Sequence, residues 1–114
     1  MKIEAYEFGK IVVEGNEYTT DLILYPDHVE SDWWRNSGHR LQIDDIKGVI
    51  ESKPDVLIVG TGQTEMMEIS PSTRKLLKDT GIELIDTNTR QACIEFNSRV
   101  EKGEKVVGAF HLTC

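Results

Sequence analysis

Two adjacent indoles, a guanidinium and an imidazole stand in one short stretch, at Trp33, Trp34, Arg35 and His39. The surrounding segment, Ser31 to Leu41, follows neither the helical nor the strand period, so it is expected to be an irregular loop. Successive side chains of extended backbone point to opposite sides. The two tryptophans should therefore divide, one anchoring the loop in the core and the other joining Arg35 and His39 on the surface. Tryptophan and arginine are favoured at the centres of protein interfaces, so these four residues are candidates for partner binding. The alternative is that both indoles serve as core anchors.

A second set of polar groups belongs to small-ligand chemistry. Gly60-Thr61-Gly62 follows the apolar run Val56–Val59, the position past a strand's carboxyl end where open α/β sheets bind ligands. Ser70, Ser72, Thr73 and Arg74 begin one helix, and Thr87, Asn88 and Thr89 begin another. Helix starts present free N–H groups and a positive dipole end. All three segments should meet at one sheet edge and could frame a polar pocket. Against a phosphate site, the third glycine of G-x-G-x-x-G is missing, no Gly-Lys-Ser/Thr follows, and Glu65 and Glu68 would repel an anion. A structural turn and ordinary capping are the alternative.

Catalytic patterns are absent. No G-x-S-x-G occurs. His111 and Cys114 make only two possible metal ligands, where zinc needs three or four. Neither Asp44-Asp45 nor Glu101 with Glu104 lies in a cleft motif of the glycosidase kind. No catalytic residue, metal or cofactor is assigned.

The elements that must position these groups follow from punctuation and period. Ile11–Val13 and Leu22–Tyr25 are β-rich runs separated by the turn Glu14-Gly15-Asn16-Glu17, with weaker strands at Met1–Tyr6 and His28–Glu30. A short helix is expected over Asp44–Ser52, capped by Asp44 and ended by Pro54. Val56–Val59 is a continuous apolar run, as in a strand buried on both faces. Ser70 caps a helix with Pro71 at its first position, and Gly81 stops it. A strand follows at Ile82–Ile85. Thr87 or Asn88 caps a helix carrying Ala92, Cys93, Phe96 and Val100 as an apolar stripe. Gly103 closes that helix before a strand at Val106–Phe110. The fold class is α/β: an antiparallel meander leading into a β-α-β-α-β unit with parallel pairing, as one domain over residues 1–114.

The chain of 114 residues carries a formal charge of −7. That balance argues against nucleic acid and anionic membranes as partners. No apolar run is long enough to span a bilayer, and the first residues lack the apolar stretch of a signal peptide. The expected location is the cytoplasm. Cys93 and Cys114 are too few for a disulfide scaffold. Helix rise and strand return bring them to a similar level, so one disulfide between them is weighed against two free thiols. The expected oligomeric state is a monomer or weak homodimer, with Val106–Phe110 as the strand that could pair at an edge.

Several of these residues also carry a family pattern. It comprises Trp34-Arg35, Gly38-His39, Val59-Gly60-Thr61-Gly62, Pro71-Ser72-Thr73, Leu76-Leu77-Lys78, Gly81-Ile82, Thr89, Ala92, Phe96-Asn97 and the tail Val107 to Cys114. Over nearly its whole length the chain resembles a small-domain family of unknown biochemical function. That family includes an adipogenesis-associated protein of animals and, more distantly, the mitochondrial complex I assembly factor three. The resemblance implies a three-layer fold with a hammerhead-like β portion, and no established activity, cofactor or catalytic residue. Two functions are carried forward. One is a non-enzymatic protein-binding or assembly module. The other is a protein or enzyme for a small polar ligand at Gly60–Gly62 and the helix starts at Ser70 and Thr87.

Overall fold

The computed structural model describes residues 1–114. Strands β1 (Ile3–Glu7), β2 (Lys10–Val13) and β3 (Asn16–Tyr18) form an antiparallel meander. After it come β4 (Leu22–Leu24), β5 (Val29–Glu30) and β6 (Arg40–Leu41), then a 3₁₀ turn at Ile43–Ile46 and helix α1 (Lys47–Ser52). The second half runs β7 (Val56–Thr61), β8 (Glu68–Ile69), α2 (Pro71–Asp79), β9 (Glu83–Thr87), α3 (Thr89–Glu101) and β10 (Val106–His111).

The central sheet has the order β5-β4-β10-β7-β9. Strands β10, β7 and β9 are parallel, and β4 joins β10 antiparallel. Side-chain alternation along a strand divides the core into two layers. Val56, Ile58, Val106, Phe110, Leu22 and Leu24 face the meander and the Ala92–Phe96 stripe of α3. Leu57, Val59, Val107, Ala109 and Ile23 face Trp33, Leu41, Ile46, Val49 and Leu77 on the other side. The result is the three-layer α/β arrangement expected. Asn97 ties the meander to α3, its amide donating to Ile3 O at 2.7 Å and accepting from Ile3 N at 2.9 Å.

Ser70 caps α2, with Pro71 at its first turn, and Asn88 caps α3. Four expectations need correction. The strand at Val106–His111 is not an edge; it lies between β4 and β7, because Leu22–Leu24 pairs with its free side. The short helix does not start at an Asp44 cap. The chain makes a 3₁₀ turn capped at Gln42, and Asp45 accepts from the Gln42 N–H at 2.8 Å. Two short strands, β6 and β8, pair parallel where only loop was expected. Finally, no disulfide forms: Cys93 and Cys114 are both free. The end of β10 reaches the start of α3, where Thr89 Oγ1 donates to His111 O. The direction differs. Gln63 N donates to Thr113 O at 2.7 Å and Met66 N to Cys114 O at 3.2 Å, so the tail is stitched to the loop after β7 and does not lie over α3.

Candidate partner-binding site

The Ser31–His39 segment is held by backbone bonds at its start. Asp32 N donates to Thr20 Oγ1 at 3.1 Å and Trp33 N to Asp21 O at 2.9 Å. These bonds turn the chain sharply, with Asp32 at φ 54°, a left-handed conformation that aspartate tolerates better than most residues. The two indoles then part as alternation requires. Trp33 is 5% exposed and packs in the core, its Nε1–H donating to Asp45 O at 3.0 Å. Trp34 is 85% exposed. Asp45 also accepts from Asn36 N at 3.1 Å, so one aspartate of the 3₁₀ turn clamps both sides of the tryptophan pair.

Arg35 does not join Trp34 on the surface. Its side chain is 5% exposed and lies over the Trp33 ring at 4.6 Å, a cation–π contact. Its Nε and Nη2 donate to Gly38 O, and Nη2 also donates to Asp21 Oδ2 at 2.8 Å. The same oxygen lies 2.7 Å from His111 Nδ1. A carboxylate only accepts, so Nδ1 carries the proton here. The 3.2 Å approach of Arg35 Nη2 to His111 Nδ1 is then two donors sharing one acceptor. Asp21 Oδ1 accepts from Leu112 N at 2.8 Å. Burial pushes the Asp21 carboxyl up, but the bonds from His111, Leu112 and Arg35 outweigh it and hold the group below the usual carboxylate range. His39 is exposed and meets His111 edge-on at 5.7 Å.

Beside this cluster lies a cleft of about 240 Å³ lined by Thr20, Asp21, Asp32, Trp33, Trp34, Arg35 and Gly38. His111 Nε2 and Arg35 Nη1 are buried and have no hydrogen-bond partner within the chain.

Of the other candidates, Gly60–Gly62, Thr87–Thr89 and Arg74 meet at the carboxyl ends of β7 and β9, while Ser70 and Ser72 line a separate hollow with Arg40 and Gln42; their polar groups are engaged within the chain. Gly62 N donates to Thr89 Oγ1 at 2.9 Å, and Thr61 Oγ1 donates to Thr87 O at 3.0 Å. The N–H groups of Gln63, Glu65, Met66 and Met67 are engaged by backbone carbonyls. Gly60 and Gly62 are small for packing: a Cβ on Gly60 would lie 2.9 Å from Thr89 Oγ1, and one on Gly62 would collide with the Cys114 carbonyl. Ser70 Oγ contacts Ser72 Oγ and Thr73 Oγ1 and accepts from Thr73 N. Asn88 accepts from Gln91 N. Arg74 is bound by Asp86, its Nη2 2.7 Å from Oδ2. Residues Thr61, Glu65, Glu68, Arg74 and Asp86 line a hollow of about 400 Å³ whose charges are mostly acidic.

A family model described as a protein of unknown function (DUF498/DUF598) matches residues 3–111. The chain belongs to this family. Solved structures share its fold. The conserved hypothetical protein PH1505 of Pyrococcus horikoshii OT3 is 27% identical, with 100% of each chain covered and a TM-score of 0.82. Protein XCC1710 of Xanthomonas campestris is 23% identical, over 96% of this chain and 83% of that one, with a TM-score of 0.83. A Bordetella pertussis protein described as a Mth938-like domain is 20% identical over 97% and 85% of the two chains, with a TM-score of 0.73.

Asp21 and Asp45 were not legible as site residues. Each sits among ordinary loop or turn residues, and the bonds that give them meaning reach residues distant in sequence.

Proposed function

We propose that this family member is a cytoplasmic, non-enzymatic protein-binding or assembly module that docks a partner protein through Trp34. The observation that carries this reading is the contrast between the two indoles. Trp33 is sealed in the core while Trp34, one residue on, is 85% exposed. Leaving an indole in water forgoes a large hydrophobic gain, and tryptophan is the residue type most enriched at binding hot spots. The loop is anchored before any partner arrives, by Trp33, Asp45 and the Asp21–Arg35 pair. Such preorganisation lowers the ordering cost of association. The adjoining cleft, at about 240 Å³, is smaller than the ~300–1,000 Å³ typical of metabolite sites; its size suits one inserted side chain.

Affinity capture from the source cells tests the proposal. The wild-type chain and Ile94→Ala, which trims an exposed apolar residue elsewhere, should recover the same partner. Trp34→Ala should lose it with an unchanged melting temperature. Equal recovery by Trp34→Ala would sink the reading.

A further inference from the structure

Resting on the docking role of Trp34, we propose that the Trp34 cleft receives a basic side chain, arginine or lysine, from the partner. Three observations converge on that chemistry. The first is charge. Of the charged residues lining the cleft, Arg35 is matched by Asp21 at 2.8 Å. Asp32 takes part in no ion pair of the chain. One carboxylate is therefore uncompensated at the cleft, on a protein of formal charge −7. An arriving cation meets a favourable field both at long range and on contact.

The second is the aromatic wall. The chain already stacks a guanidinium on one indole of this pair, Arg35 over Trp33 at 4.6 Å. Trp34 offers the same kind of surface with no cation of its own chain over it. A cation beside an indole face and a carboxylate gains from both, more so as water is excluded.

The third is position. Asp32 is fixed in a left-handed conformation at φ 54° by its N–H bond to Thr20 Oγ1. Its backbone is thus set beside Trp34 before binding. An acidic side chain would be repelled by the Asp32 carboxylate, although Arg35 Nη1 is an unpartnered donor there, and a purely apolar one would leave the Asp32 carboxylate partly desolvated without a counter-charge.

The test uses the intact ¹⁵N-labelled protein and an acetylated, amidated tripeptide, Gly-Arg-Gly, with Gly-Leu-Gly and Gly-Glu-Gly as controls. The Trp34 indole N–H is assigned by its loss in Trp34→Phe. Gly-Arg-Gly should shift that signal and the Asp32 amide in a saturable way. Asp32→Asn, which also tolerates the left-handed region, should weaken binding by about fivefold, the scale of one lost charge pair. No saturable shift, an equal response to Gly-Leu-Gly, or unchanged affinity in Asp32→Asn would overturn the proposal. A partner still captured through Trp34 alongside any of those results would leave the docking role standing and remove only its cationic specificity. Loss of capture specificity with a preserved arginine response would do the reverse.

Discussion

One carboxylate oxygen, Asp21 Oδ2, holds Arg35 at 2.8 Å and His111 at 2.7 Å, joining the tryptophan loop to the end of the central strand β10. Replacing it with Asp21→Asn leaves the Arg35 guanidinium buried with no counter-charge. We expect a loss of about 3 kcal/mol in urea denaturation at neutral pH, as when one partner of a buried pair is removed. The acid limb should change as well. The folded Asp21 carboxyl titrates below its ordinary range, so its stabilisation is present above the unfolded carboxyl value of about 3.9. It is lost as pH falls through the lower folded value. Asp21→Asn should therefore be less sensitive to acid between pH 5 and 2 (roughly the range over which such a group titrates). A variant as stable as the parent, with the same acid dependence, would show that the carboxylate holds nothing.

The two cysteines should behave as unlike, unbonded thiols. Cys93 is 6% exposed and burial pushes its thiol up to about 12, while Cys114 is exposed. Only the thiolate reacts quickly. Alkylation of native protein without reductant should label one site, Cys114, and denaturant should reveal the second. No labelling under either condition would demonstrate the disulfide that the structure lacks.

Gly108 makes room for two rings. A Cβ there would lie 2.5 Å from Phe110 Cε2 and 2.8 Å from Phe96 Cδ2, and both rings are fully buried. Gly108→Ala must push the Phe96–Phe110 pair apart. Overpacking of this kind costs about 1–3 kcal/mol, visible as a lower melting temperature. An unchanged melting temperature would mean that the rings have slack.

With β10 internal, the open edges of the central sheet are β5 and β9. Strand β5 has only two residues, and β9 carries Glu83 and Asp86, ion-paired to Arg99 and Arg74. Short or charged edges discourage strand pairing between copies. Light scattering should give a monomer, and a stable tetramer would refute this.

Local signals in the chain announced the second half well. The apolar run Val56–Val59, the Ser70-Pro71 start and the Gly81 stop each state an element within a few residues. Sheet order was less accessible, because nothing near Leu22–Leu24 says that it will pair with Gly108–Phe110. The division of Trp33 from Trp34 followed from alternation alone. Which one faces out depended on Asp45, twelve residues on from Trp33, and that bond has no local signature. By residue type alone, Arg35 belongs on the surface. Its burial follows from Asp21 and His111, which neighbour it only in three dimensions. The path of the cysteine tail is hidden for a related reason: rise per residue fixes how far a strand climbs and leaves open which way its last residues turn.

If Trp34 docks a partner as proposed, its side chain lies against that protein in the cell. Site-specific photo-cross-linking in the source cells reads this out, with p-benzoylphenylalanine placed at position 34 or, as the control, at position 94. One discrete protein adduct should form from position 34, with none in common with position 94. The same diffuse adducts from both positions, or none from position 34, would contradict it.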